Sequence, residues 1–214
     1  MMQGLLGKKL GMTQVFSETG GQLPVTVLEV GPCVVLQRKT QATDGYEAVQ
    51  IGYDDQKPHR LTKPLLGHFA KAGCAPKRHV REFRVEAGEA YEPGQVLTVS
   101  LFNDVPFVDV TGVGKGRGFQ GVVKRHRMAQ GRMSHGGHSK RRPGSIGQSA
   151  YPGRVYKGKR MPGRMGGRRV CQRGLKVVSL SEDEHILLVL GAVPGPAGQL
   201  VTVRKSLKAG KKAQ

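Results

Sequence analysis

His135 and His138 stand three residues apart, a spacing that can place two imidazoles on one metal ion. A closed site needs further ligands, and no acid or cysteine occurs between Asp109 and Cys171 to supply them. Gly116, Gly118 and Gly121 spell G-x-G-x-x-G behind a strand candidate. Dinucleotide binding by that pattern needs an acid about twenty residues on to hold the ribose hydroxyls. The residues there are His138, Lys140, Arg141 and Arg142, of the opposite charge. Nor does any Gly-rich phosphate loop ending in Gly-Lys-Ser/Thr occur. Cys171 lacks the neighbours that turn a thiol into a nucleophile. Asp54-Asp55 and Glu182-Asp183-Glu184 have the composition of turns, not of poised acid–base pairs. No catalytic residue, metal or cofactor is expected.

The chemistry that stands out is ionic. The 214 residues hold 35 lysines and arginines against 15 acids, a net charge of +20. Residues 112–173 carry 17 of those cations and no acid, while the rest of the chain is nearly balanced. That concentration of charge fits a polyanionic partner. Lys115 and Arg117 alternate with Gly112, Gly114, Gly116 and Gly118, so backbone amides can approach phosphates that the side chains neutralise. Residues 119–128 read as a short helix, with Phe119, Val122 and Val123 as its apolar face and Lys124, Arg125, His126 and Arg127 around it. Arg132, His135, His138, Lys140, Arg141 and Arg142 follow. Then come Gln148, Arg154, Tyr156, Lys157, Lys159, Arg160, Arg164, Arg168 and Arg169, interleaved with glycine and proline. Tyr151 and Tyr156 offer faces on which unpaired bases can stack, and the histidines can stack or bond to phosphate. Zinc-finger spacing and heptads are missing, so irregular or single-stranded RNA explains this grammar better than duplex DNA, whose major groove is usually read by a helix.

The elements that must position these residues lie on both sides. Residues 112–173 contain 16 apolar side chains and 15 glycines, too little apolar surface to offset the entropy of ordering them. The segment is expected to be ordered only against a partner. Its flanks are rich in β-branched runs: residues 23–30 and 33–38 around Gly31-Pro32, then 46–53, 95–102, 106–110, 175–180, 185–191 and 199–204. One helix is expected at 63–72, with Thr62 as N-cap, Pro64 in its first turn and Gly73 ending it. This predicts a mainly β protein, an antiparallel barrel or sandwich with one or two short helices. Its body is residues 1–111 plus 174–214, interrupted by a basic, glycine-rich insertion at 112–173. The tail from Lys208 to Gln214 reads as a frayed end. Three dispersed cysteines, Cys33, Cys74 and Cys171, read as reduced thiols of a cytosolic protein. The start lacks a long apolar run and no stretch approaches eighteen apolar residues, so neither secretion nor a membrane span is expected.

Several motifs in one order carry a resemblance. They begin with Gly7-Lys8-Lys9-Leu-Gly11-Met12-Thr13-Gln14-Val-Phe16 and Gly67-His68-Phe69-Ala70-Lys71-Ala72-Gly73. Val108-Asp109-Val110-Thr111-Gly112, Lys115 to Phe119 and Lys124-Arg125-His126 follow. Ser134-His135-Gly136, Arg142-Pro143-Gly144-Ser145-Ile146-Gly147, Arg154 to Lys159 and Gly191-Ala192-Val193-Pro194-Gly195 complete the series. Over essentially its whole length the chain resembles the bacterial form of the large-subunit ribosomal protein family numbered three. The resemblance implies a β-barrel of the kind shared with translation factors, with a long loop entering the RNA towards the peptidyl transferase centre. It implies binding near the 3′ end of the large (23S) rRNA, beside neighbouring ribosomal proteins, and a role early in subunit assembly. No catalysis is implied, and by carry-over roughly Met128 to Arg154 forms the loop tip. It adds Lys8 and Lys9 to the RNA-binding set. Some relatives carry a methylated glutamine two residues beyond the position of Gln148; Ala150 stands there, so that modification is not expected. Where some relatives have tryptophan after the Lys-Arg pair, this chain has His126.

Two rivals share some of these features. A nonspecific polyanion binder shares the charge but prefers no particular RNA. A nucleotide-dependent enzyme using the glycine motif is stabilised thermally by nucleotide.

Overall fold

Val108 and Val110 are fully buried while Phe107, Asp109 and Thr111 around them are only half-buried. That two-residue period is the mark of a strand with one face on a core. It recurs at Leu187 and Val189, and again at Val201 and Val203. The computed structural model describes residues 4–85 and 89–206. The chain divides into two units, one running up to Val113 and resuming at Arg169, the other Gly114–Arg168.

In the first unit the strands are β1 (Gly4–Phe16), β2 (Gln22–Val30), β3 (Cys33–Lys39), β4 (Ala48–Asp55), β5 (Lys77–Arg84), β6 (Val96–Leu97) and β7 (Phe107–Val113). The second unit holds β8 (Phe119–Gln120) and β9 (Gly163–Arg164). After it the first unit resumes with β10 (Arg169–Ser181), β11 (Ile186–Leu190) and β12 (Leu200–Lys205). Six strands close an antiparallel barrel in the order β1-β12-β7-β10-β11-β2. Four more form a sheet in the order β5-β4-β3-β6. Leu5, Leu28, Val108, Val110, Leu187 and Val203 of the barrel share one apolar core with Val35, Val49, Ile51 and Phe83 of that sheet. The mainly β, barrel-type reading therefore holds.

The helices are α1 (Gln41–Asp44), α2 (Lys63–Lys71) and α3 (Val122–His126). α2 begins after Thr62 with Pro64 in its first turn and buries Phe69 against Leu36. The Thr62 hydroxyl makes no capping bond to it.

Several local expectations are corrected. Residues 95–102 are not one strand: two residues of β6 give way to a 3-10 turn at Val99–Phe102, which buries Val99 and Phe102. α3 is shorter than the 119–128 reading, and Phe119 lies in β8 with 76% of its surface exposed, so it forms no apolar helix face. β1 and β5 were not among the expected strands. The frayed-tail expectation for Lys208 to Gln214 falls outside the described residues.

β7 and β10 set the roots of the basic insert. They pair from Val113 opposite Arg169 down to Phe107 opposite Lys176. The register slips between Gln172 and Leu175, where the Gly174 amide donates to Asp109 Oδ1 at 2.8 Å. A carboxylate thus accepts the amide that the irregular ladder frees.

Candidate nucleic-acid interface

Without a single acid, residues 114–168 cannot form internal ion pairs with carboxylates, and the structure braces them through the backbone instead. At the roots, the Gly114 amide donates to Arg168, that of Arg117 to Met165, and that of Met165 to Gly118. β8 then pairs with β9, Phe119 opposite Arg164 and Gln120 opposite Gly163. Close approach explains one glycine here: a Cβ on Gly166 would lie 2.3 Å from the Lys115 carbonyl oxygen, and its φ is +73°. The Gly114 and Arg117 amides are therefore committed to a strand-like ladder, while the Lys115 and Arg117 side chains stay exposed.

α3 supplies the main side-chain brace. Its short length and its buried Val122 set Arg125 and His126 against the returning chain. Arg125 donates to the Met161 carbonyl at 2.7 Å, and His126 Nε2 lies 3.0 Å from the same oxygen. Both are partly buried, so two residues expected at the RNA also hold the insert together. Arg127 follows in the left-handed region at φ 56° and ends the helix.

Around this brace the cationic side chains turn outward. Lys115, Arg117, Lys124, Arg127, Arg132, His135, His138 and Lys140 are exposed. So are Arg141, Arg142, Gln148, Arg154, Lys157, Lys159, Arg160, Arg164 and Arg168, and so is Arg169 on β10. Tyr151 and Tyr156 are 82% and 56% exposed, open for stacking. A small loop is closed by the Gly131 amide donating to Lys140, and a Cβ on Gly137 would meet the Arg132 carbonyl oxygen at 2.6 Å. From 141 to 160 there is no helix or strand. No group of three or more His, Cys, Asp or Glu among the described residues could hold a metal.

Lys8 and Lys9 part company. Lys8 is exposed. Lys9 is only 8% exposed and its Nζ donates to the Val193 and Gly195 carbonyls at 2.8 and 3.2 Å. Lys9 lies opposite Leu28, on the strand face that also carries Leu5 and Gly7 towards the core. Of the two lysines expected at the RNA, Lys9 thus has its ammonium on barrel carbonyls and Lys8 faces outward. Burial also removes Cys33 from chemistry, pushing its thiol up to about 12.

Fold and insert define a class, a β-barrel protein with an acid-free cationic segment spliced between two paired strands. Comparison with known proteins narrows it. The family model for ribosomal protein L3 matches residues 77–185. The chain is 54% identical to the large ribosomal subunit protein uL3 of Corynebacterium jeikeium over 210 residues, covering 98% of this chain and 96% of that one. It is 50% identical to the protein of the same name from Alkaliphilus metalliredigens, covering 98% and 100%. With that from Geobacillus kaustophilus the identity is 50% over 214 residues and covers both chains fully. The chain belongs to the ribosomal protein L3 family, whose members are structural ribosomal proteins and not enzymes.

Proposed function

We propose that this protein is built into the large ribosomal subunit in the bacterial cytoplasm, where it binds 23S rRNA. The insert carries the RNA contacts and reaches towards the peptidyl transferase centre, and the barrel is its anchor beside neighbouring ribosomal proteins. Binding early in subunit assembly fits a segment that has little core of its own and gains its order from RNA. One observation carries the reading: apart from Arg125, the cations of the insert are exposed, as are two tyrosines, while its internal bonds run mostly through backbone. Family membership supplies the ribosome as the site of action.

The test is a salt titration of binding to large-subunit rRNA against an unrelated RNA of equal length. If about half of the insert's cations meet phosphates, log K falls against log salt with a slope near −6 to −8, at roughly 0.7–0.9 per contact. Preference for the rRNA is expected at every salt concentration. Equal affinity for both RNAs would favour a nonspecific polyanion binder.

A further inference from the structure

A second basic surface lies within the barrel unit itself. β5 is the edge strand of its sheet, so one side of its backbone has no strand partner. Along that side three cavities adjoin, sharing Glu82, Phe83 and Arg204 or Leu200 between neighbours. Their volumes are about 440, 260 and 360 Å³. Together they form a groove between β5 and the outer faces of β12, β7 and β1, roughly 25 Å long at about 3.3 Å per strand residue.

The groove's lining is mostly cationic, six lysines and arginines against the acids Glu82 and Asp54. Arg81, Arg84, Arg169 and Arg204 line its central and upper parts. The acid among them, Glu82, already holds Lys39 at 3.4 Å and accepts from Tyr46 and Gln50. At the lower end Asp54 is met by Arg78 at 3.5 Å, and exposed Lys8 lies opposite Glu29 in the β1–β2 register. Arg204 lies with its guanidinium 5.3 Å from the Phe83 ring centroid, and its Nε has no hydrogen-bond partner. Stacking holds a guanidinium planar and leaves its other N–H groups for an acceptor. His79, also on β5, has its pKa lowered first by burial and then by Arg78 and Arg81, with Asp54 opposing.

We propose that this groove binds an RNA backbone, a second RNA-contacting surface that works alongside the insert. The proposal rests on the RNA-binding reading above and adds a site to it. Planar guanidinium groups spaced along a strand suit successive phosphates, each of which accepts two N–H bonds from one arginine.

The full chain carries the test. Arg81→Gln, Arg169→Gln and Arg204→Gln together are compared with Lys57→Gln, Lys63→Gln and Lys71→Gln, exposed lysines outside the groove that remove the same charge. Because Arg204 packs on Phe83, Arg81→Gln with Arg169→Gln is measured as a milder pair. Removing three phosphate-binding cations makes the salt slope for rRNA binding shallower by about two, at roughly 0.7 per phosphate neutralised, while the lysine control shifts it by less than about half a unit. Bound RNA also slows amide exchange along Lys77–Arg84. If the arginine variants track the lysine control and β5 exchange is unchanged while the parent chain binds rRNA, the groove proposal is overturned and the insert reading stands. An acidic protein segment as the true occupant gives that same overturning result. If the parent chain binds no RNA, both fall.

Discussion

Arg125 donates a 2.7 Å hydrogen bond to the carbonyl of Met161, closing a loop of the basic insert across a separation of 36 residues. Gly163 lies beneath that guanidinium, where an added Cβ would sit 2.6 Å from Nη1. A cation in this segment can therefore be structural, and Arg125 differs from Arg142, which is exposed and makes no side-chain bond among those described. Replacing Arg125 with alanine forfeits about 1 kcal/mol of local stability and speeds amide exchange at Arg117 and Met165 about fivefold. Arg142→Ala leaves those amides unchanged and weakens RNA binding instead. Exchange measured by mass spectrometry on both variants separates the roles; equal exchange in the two would remove Arg125 from the brace.

Lys9 makes the same point inside the barrel. Its ammonium satisfies two carbonyls of the loop between β11 and β12, so Lys9→Met leaves the buried Val193 carbonyl and the partly buried Gly195 carbonyl without that donor. Urea unfolding is expected to show a loss of about 2–4 kcal/mol for Lys9→Met and close to none for Lys8→Met. In RNA titrations the order reverses, with Lys8→Met lowering the salt slope.

The strands with clean alternation were legible because burial of one face imposes a period of two, as at Val108 and Val110. β5 escaped notice because Lys77–Arg84 places charges at nearly every position; it is a strand through its pairing with β4, not through its own pattern. β1 escaped for a related reason: its glycines are packing devices, and a Cβ on Gly7 would meet the Glu29 carbonyl oxygen at 2.4 Å. In the insert, charge marked the segment correctly as cationic but could not separate Arg125, which binds backbone, from its exposed neighbours. Lys8 and Lys9 look alike in sequence, and only the face of the strand distinguishes them. The groove was invisible for a different reason, since Arg81, Arg169 and Arg204 come from three distant strands.

Thiol reactivity should follow burial. Cys171 is exposed on β10, Cys74 is partly buried and has its pKa raised by that burial, and Cys33 is fully buried with its thiol pushed up to about 12. A maleimide reagent at neutral pH is expected to label Cys171 first, Cys74 slowly and Cys33 only on unfolding. The raised Cys33 value also carries a sign for alkaline stability. Above the unfolded thiol's pKa the unfolded chain has released a proton that the folded chain keeps, so stability falls as pH rises, by about 1.4 kcal/mol per unit. Cys33→Ala removes that increment of slope. Urea curves at pH 8, 9 and 10 on parent and variant would detect it, and parallel pH profiles would exclude it.

The pairing of Val113 with Arg169 makes the entire 114–168 segment a hairpin connection in topological terms, however long it is. Two residues directly opposite on antiparallel strands can be joined by a two-residue Asn-Gly turn whose twist matches the ladder. Replacing Gly114–Arg168 with Asn-Gly keeps every barrel strand and removes 15 lysines and arginines without removing one acid. Two effects then compete. Loss of self-repulsion and of a long loop favours the folded state, the loop term by up to about 3 kcal/mol. Against it stands any strain where Val113 and Arg169 meet the new turn. The barrel core, centred on residues such as Leu5, Leu28 and Val110, is untouched by either. The shortened chain is expected to keep a β-type circular dichroism spectrum and one cooperative thermal transition, with its midpoint within about 10 °C of the parent. Its affinity for rRNA should drop steeply while a residual, salt-sensitive component persists through the β5 groove. A shortened chain that does not fold would show that the insert contributes to the barrel's own stability, and the division of labour between anchor and RNA-binding segment would have to be abandoned.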